Sequence, residues 1–245
     1  QTNRAVTSWH EYIMGIKKQT CNSCFDGEFH FWVDGVEVGS GVKQMRYCDT
    51  TDCDNWRHAW GSNMVAPYSQ LKGASGDGGN IWVDDFSLDN AWNSAFQPRT
   101  PPTAGPIPPA APTGLIVNTN STTTTTTTPG CGSPQPGWIW CDDFETDRLA
   151  SYFEYDNSGG DFAITGGVGL NGSRAMRAIY RPGQSSAGSM KLAFGSTPNV
   201  YFKAVDAGTA RYRDIYWRMY VKNQSGWTGG GGDKLSRAIV FANSS

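Results

Sequence analysis

The sequence predicts an antiparallel all-β fold, and three observations carry that prediction. Apolar and polar residues alternate with a period of two in several short segments, as they do in strands with one buried face. No segment shows a convincing helical period of 3.6 residues. The 30 glycines, the 13% of aromatic residues and the low 17% of charged residues suit a β-rich extracellular protein with many turns.

One stretch, residues 97–137, divides the chain into two blocks. It holds ten of the 13 prolines and a run of seven threonines, so it reads as an extended spacer that builds no core. We therefore expect a first block at 1–96, a Pro/Thr-rich linker at 97–137 and a second block at 138–245. A threonine tract beside prolines is typical of glycosylated stalks, which predicts glycans on Asn120, Thr122, Thr123, Thr124, Thr125, Thr126, Thr127 and Thr128.

The first block contains four expected strands and one hairpin turn. The clearest strand is 28–34, whose alternation places Phe29 and Phe31 on one face and His30 on the other. Asp34-Gly35 is a strong signal for a two-residue turn after it. The expected strands of this block are 9–18, 28–34, 36–38 and 80–88.

The second block contains five expected strands. The best is 214–222, in which one face is apolar and the other carries aromatic and cationic side chains. A Pro182-Gly183 pair predicts a turn before the middle of the block. The expected strands are 138–145, 173–181, 199–205, 214–222 and 236–241. The apolar face of the best strand consists of Ile215, Trp217, Met219 and Val221.

The six cysteines form three pairs that are close in sequence. A CxxC pair can be redox-active or half of a zinc site, but no second CxxC completes such a site here. Local disulfides in an oxidising compartment are the favoured interpretation, and they imply secretion to the cell exterior or surface. The expected pairs are Cys21 with Cys24, Cys48 with Cys53, and Cys131 with Cys141.

Charge and hydropathy exclude two classes of partner. The net charge of −2 offers no basic field for nucleic acid. No apolar run approaches 18 residues, so the sequence predicts no membrane span.

The polar face of strand 214–222 has two interpretations. A strand with one solvated face is the default in antiparallel sheets. Alternatively, flat phenol rings and cationic donors suit stacking on sugars and pairing with uronate carboxylates. The residues that would bind carbohydrate are Tyr216, Arg218, Tyr220 and Lys222.

Four short motifs resemble concanavalin A-like jelly-roll domains, especially those of secreted polysaccharide lyases. RDIYWRMYVKNQSGWTGGGGDKLSRAIVFA (213–242) is similar to the central strand and glycine-lysine turn of such domains, and CDDFET (141–146) to their opening strand. DGEFHFWVDGVEV (26–38) and IWVDDFSL (81–88) resemble their late hairpin and closing strand. The resemblance implies a jelly-roll β-sandwich whose two halves stand in rotated order around the linker.

The rotated order has three explanations: a window onto a tandem array, a circular permutation, or a polymer in which one chain completes its neighbour. Each half alone would expose strand edges and an apolar face, so each needs a complement. The favoured expectation is an extracellular structural repeat or fibre subunit whose partners are copies of itself. The alternative is a secreted lyase or carbohydrate-binding module that acts on acidic polysaccharide.

The lyase resemblance also implies catalytic and metal-binding candidates. Lyases of this kind use cationic, histidine or tyrosine side chains on the concave face to remove a proton next to a uronate. The candidates are Tyr216, Arg218, Tyr220, Lys234, Arg237 and His30. Aspartates on the first and last strands of such modules often hold structural calcium, which would here involve Asp143 and Asp85. The sequence implies no other cofactor.

Overall fold

The computed structural model describes residues 8–17, 26–43, 63–70, 79–90, 131–132, 136–184, 186–196, 200–210, 212, 214–225 and 234–240. Within these residues the chain forms antiparallel strands joined by turns and short 3-10 segments. The strands are β1 (His10–Lys17), β2 (Gly27–Val33), β3 (Val36–Lys43), β4 (Asn63–Gln70), β5 (Gly79–Asp89), β6 (Trp138–Asp142), β7 (Glu154–Asp156), β8 (Phe162–Thr165), β9 (Ala175–Tyr180), β10 (Ser186–Phe194), β11 (Asp214–Asn223) and β12 (Lys234–Val240). The prediction of an all-β chain is thereby confirmed.

The strands form two antiparallel sheets that share one hydrophobic core. The large sheet has the order β3-β2-β1-β11-β5-β9-β8, with β6 also paired to β5, and the small sheet has the order β12-β4-β10-β7. Phe86, Leu88 and Met219 of the large sheet are fully buried in the same cluster as Met190 and Leu192 of the small sheet. This arrangement is compatible with a β-sandwich, in which the inner faces of two sheets interdigitate.

Strands from the two sides of the linker alternate within the large sheet. β11 lies between β1 and β5, with Met14 opposite Trp217 on one side and Leu88 opposite Trp217 on the other. The apolar face predicted for this strand is confirmed, because Ile215, Trp217, Met219 and Val221 are at most 4% exposed. Both neighbours of β11 therefore come from the block that precedes the linker.

A bulge in β5 keeps both ends of this long strand on the core. Ile81 and Val83 alternate on odd positions, whereas Phe86 and Leu88 alternate on even positions, and all four are buried. The register against β11 shifts between Arg218 and Tyr220. The extra residue on the β5 side is Asp85, whose φ of +47° lies in the left-handed region. Without this extra residue, either Ile81 and Val83 or Phe86 and Leu88 would point away from the core.

The hairpin expected at Asp34-Gly35 is present. Both residues have positive φ, 48° and 79°, as the two central positions of a type I′ turn require. The turn joins β2 to β3 in register, with Val33 opposite Val36. Glycine is needed at the second position because a side chain there would be strained.

The strand prediction was wrong or incomplete in three respects. The strand expected at 199–205 is a single 3-10 turn, Val200–Phe202, in which Val200 is 95% exposed. Valine and aromatic residues favour strands by propensity, but no neighbouring strand pairs with this segment among the described residues. The expected strand 138–145 ends at Asp142. The strands β4, β7, β8 and β10 were not predicted from the sequence.

One predicted disulfide is confirmed. Cys131 and Cys141 are bonded, with their Cα atoms 5.4 Å apart. The bond ties the end of the linker to β6, the first strand of the second block. Cys21, Cys24, Cys48 and Cys53 lie outside the described residues, as do Asn120 and the threonine run. No helix in the described part of the chain is long and apolar enough to cross a membrane.

Candidate functional site

The candidate site is the outer face of the large sheet, the face directed away from the shared core. The register places its residues side by side, because opposite residues of paired strands point the same way. From β2 towards β9, this outer face carries Glu28, His30 and Trp32, then Glu11 and Gly15, then Tyr216, Arg218, Tyr220 and Lys222, then Trp82 and Asp84, and finally Arg177.

Lys222 occupies the centre of an aromatic pair on the outer face. Its Nζ atom lies 4.8 Å from the ring centroid of Trp9 and 5.0 Å from that of Trp82. The same Nζ donates a hydrogen bond of 3.3 Å to the carbonyl oxygen of Val168. Burial lowers the pKa of Lys222, and the negative charge of Asp84 opposes that shift. A cation held between two indole rings is fixed in position by cation–π attraction.

Arg218 and Glu11 form a buried charge pair on this same face. Arg218 is 3% exposed and Glu11 is 1% exposed, with Nη1 of Arg218 3.9 Å from Oε1 of Glu11. Tyr220 donates a 2.9 Å hydrogen bond from its hydroxyl to the same carboxylate oxygen. Burial, followed by the charge of Glu11, raises the pKa of Tyr220 well above its ordinary value. The hydroxyl of Tyr220 therefore stays protonated, and its hydrogen bond to Glu11 fixes its position.

A strip of flat rings crosses β2, β1 and β11. The imidazole of His30 stacks on the indole of Trp32, with the ring centroids 5.2 Å apart and an interplanar angle of 13°. Gly15 lies between His30 and Tyr216 on the intervening strand. A Cβ atom on Gly15 would lie 2.6 Å from the ring of Tyr216 and 3.4 Å from Cζ3 of Trp32. The missing side chain therefore lets the phenol of Tyr216 lie across β1.

Substituting alanine for Gly15 is expected to displace the ring of Tyr216. The added Cβ overlaps two ring atoms, and overpacking of this kind costs about 1–3 kcal/mol of unfolding free energy. Urea denaturation measures the loss. The matched control is Gly39→Ala on β3, where an added Cβ meets nothing within 4 Å. Equal stability of the two variants would contradict the tight contact.

His30 bridges two carboxylates at the β2 end of the strip. Its Nδ1 atom lies 2.6 Å from Oε1 of Glu37, and its Nε2 atom lies 3.2 Å from Oε2 of Glu28. Glu28 also accepts a 3.2 Å hydrogen bond from Lys17 of β1. Burial lowers the pKa of His30, but the hydrogen bonds to Glu37 and Glu28 outweigh it and leave the pKa raised above 6.5. With a carboxylate at each nitrogen, this ring is suited to be a cation and not a base.

The raised pKa of His30 predicts a pH-dependent contribution to stability. The folded state binds the proton more tightly than the unfolded state, so the contribution is complete below pH 6.5 and disappears as the pH rises through the folded value. We expect His30→Gln to destabilise the protein at pH 5 more than at pH 8. Urea denaturation of both proteins at the two pH values measures the difference. A loss that is identical at both would refute the linkage.

Asp84 anchors the loop that supports Lys222. Its carboxylate accepts hydrogen bonds from the backbone N–H of Leu170 at 2.7 Å, from Oγ of Ser173 at 3.2 Å and from the N–H of Asp85 at 2.8 Å. Burial raises the pKa of Asp84 to about 7 despite these donors. The loop also includes Val168, whose carbonyl binds Lys222. Asp84 thus holds the loop that contains Val168 and Leu170 beside Lys222 on the outer face.

The two aspartates predicted to bind calcium have different surroundings. Asp143 accepts hydrogen bonds from the side chain of Arg148 at 3.0 Å and from the backbone N–H groups of Cys131 and Glu145 at 3.2 and 3.3 Å. Asp85 lies at the bulge of β5. No group of three or more metal-ligating side chains occurs within the described ranges. Calcium binding therefore stays a prediction.

The structure brings most of the predicted carbohydrate and catalytic residues to one face. Tyr216, Arg218, Tyr220 and Lys222 lie on it with His30, although Arg218 is itself buried. For Lys234 and Arg237 only the backbone of β12 is described, and that strand belongs to the small sheet. The roles of Trp9, Gly15 and Trp82 were not predicted from the sequence, because those roles depend on which strands are neighbours.

Comparison of the chain with protein-family models, with curated proteins and with solved structures gives no match.

Proposed function

We propose that this chain is an extracellular module that binds acidic polysaccharide, built as a jelly-roll β-sandwich of the concanavalin A-like type. The observation that carries the proposal is the position of Lys222 between the rings of Trp9 and Trp82, on the same face as Trp32 and Tyr216. Aromatic rings stack on the apolar faces of sugars, and a fixed ammonium group pairs with a carboxylate. The two features together select an anionic glycan.

The hydrogen-bond pattern favours binding over lyase chemistry. A lyase base must accept a proton near the working pH, so its pKa must lie close to that pH. Tyr220 has a raised pKa and already donates to Glu11. His30 faces a carboxylate at each ring nitrogen. Neither group is poised to remove a proton from a uronate, whereas the ring of His30 stacks on the indole of Trp32.

Binding is tested with uronate oligosaccharides and a neutral glucan of equal length, by isothermal titration calorimetry. We expect the uronate to bind and Lys222→Met to weaken its affinity about tenfold or more, because a hydrogen bond to a charged group contributes about 1.5–3 kcal/mol. The control is Lys203→Met, which removes an exposed lysine outside the large sheet. Equal affinity for uronate and glucan, or equal losses in the two variants, would refute the proposal.

Fibre formation is the second candidate function, and the position of β11 between β1 and β5 favours it. Both neighbours of β11 precede the linker, so the same ladders could form between one chain and the next. A head-to-tail exchange of this kind does not close and would build a filament with glycosylated Thr-rich connections. Light scattering after size exclusion and negative-stain imaging test it. A monomer at every concentration would exclude exchange between chains.

A further inference from the structure

A second cluster of reactive side chains, which the proposed polysaccharide site does not use, lies at the start of β1. The Oγ atom of Ser8 lies 3.1 Å from Nε2 of His10, and Nδ1 of His10 lies 2.7 Å from Oδ2 of Asp34. A hydroxyl, an imidazole and a carboxylate in this order are the three groups of a nucleophilic triad, which is recognised by geometry and not by sequence position.

The fold fixes the carboxylate of this cluster with both of its oxygens engaged. Oδ1 of Asp34 accepts a 2.9 Å hydrogen bond from the backbone N–H of Glu11, while Oδ2 faces His10. The backbone N–H of Asp34 in turn donates to the carbonyl oxygen of Glu11 at 2.9 Å. The turn between β2 and β3 is thereby fastened to β1, so the imidazole is oriented by a rigid partner.

These contacts assign a role to each nitrogen of His10. A carboxylate beside Nδ1 favours the tautomer with the proton on Nδ1, which leaves the lone pair of Nε2 directed at the hydroxyl of Ser8. His30 provides the contrast, because carboxylates face both of its nitrogens. Only His10 of these two has the arrangement of a general base for serine.

We propose that Ser8, His10 and Asp34 form an esterase site for carboxylic esters. Oγ of Ser8 bonds to the carbonyl carbon as its proton moves to Nε2 of His10. The tetrahedral intermediate then breaks the ester C–O bond, and the proton passes from His10 to the departing alkoxide, which leaves as an alcohol. Water attacks the acyl-serine by the same proton path and releases the carboxylic acid and free Ser8. Asp34 stabilises the imidazolium in each half of the cycle.

The location of the site separates it from the proposed polysaccharide surface. Ser8 is exposed, and Trp9 contacts Lys222 on the outer face of the large sheet. Because successive side chains of a strand point to opposite faces, His10, which stands opposite Val221, lies on the other side of β1 from Trp9. The ester class is therefore a small soluble carboxylic ester, and its hydrolysis does not rest on the proposed function.

The first test is labelling of the full chain with a fluorophosphonate probe, followed by mass spectrometry. We expect one covalent adduct on Ser8 that is absent in Ser8→Ala and in His10→Gln and retained in Ser225→Ala, which removes another exposed serine. Asp34→Asn keeps a residue that tolerates positive φ and is expected to slow labelling strongly. An unlabelled wild type, or labelling that persists in Ser8→Ala, would overturn the proposal.

The second test is hydrolysis of p-nitrophenyl acetate, with thermal unfolding of each variant as the folding control. We expect Ser8→Ala and His10→Gln each to reduce the protein-dependent rate at least about 100-fold, the lower range for loss of a general base. A folded Ser8→Ala variant with the wild-type rate would overturn the site. Because this substrate carries no sugar, its hydrolysis separates failure of the esterase site from failure of polysaccharide binding.

Discussion

Replacing Glu11 with methionine is expected to lower the free energy of unfolding by about 3–5 kcal/mol. Glu11 is 1% exposed, and its carboxylate faces the guanidinium of Arg218, which is itself 3% exposed. Removing one member of a buried ion pair leaves the other charge in a site of low dielectric constant, which costs about this much. The hydroxyl of Tyr220 loses its acceptor at the same time. Urea denaturation of the variant and the wild type measures the change.

The control for Glu11 is the companion change in Arg218. Arg218→Met alone is expected to destabilise the protein for the same reason, because it leaves the carboxylate of Glu11 buried without its cation. The double variant should be far more stable than the sum of the two losses predicts, since two methionines replace both charges by apolar groups. Additive losses would contradict a coupled pair.

The alternation of side chains was sufficient to predict the strands at the centre of the large sheet. In β2 and β11 the period of two is uninterrupted, so the inward and outward faces follow from the residues alone. The turn between β2 and β3 was predictable because Asp-Gly supplies the positive φ values that a tight hairpin needs. These features depend on residues that are adjacent in the sequence, so they can be predicted without knowing which strands pair.

Features that depend on neighbouring strands were not predictable in the same way. The bulge at Asp85 allows Val83 and Phe86 to face the same core although they lie three positions apart in the strand. β10 was missed although Met190, Leu192 and Phe194 alternate, because the preceding small residues weaken the pattern. The segment Val200–Phe202 has strand propensity but pairs with no described strand. Tertiary context overrides local preference in each case.

In the candidate site, too, features of a single strand were predictable and features that depend on neighbouring strands were not. Tyr216 and Lys222 were predicted to share a face, since two residues of one strand separated by an even number of positions must do so. The burial of Arg218 could not be predicted, because it depends on Glu11 standing opposite Tyr220 on a strand from the other side of the linker. The role of Gly15 likewise requires the register that sets it beside Tyr216.

Cutting the linker is expected to leave a folded complex of two pieces. A protease site placed within the threonine run at 122–128 would divide the chain between the blocks. β11 has β1 and β5 as its neighbours, and β5 has β11, β9 and β6, so each block supplies strands that the other must pair. We expect the two pieces to elute together on size exclusion and to separate only in denaturant.

The isolated piece 138–245 is expected to show no cooperative unfolding. Both edges of β11 would lose their ladders, and the apolar row from Ile215 to Val221 would lose the core partners Phe86 and Leu88 of β5. Without a tether, stability of the cut protein should rise with its concentration, because association of the pieces becomes bimolecular. A cooperative transition of the isolated piece in urea would show that the second block folds without the first. If the uncut chain exchanges blocks between molecules, its size would also increase with concentration, whereas a closed chain would remain monomeric throughout.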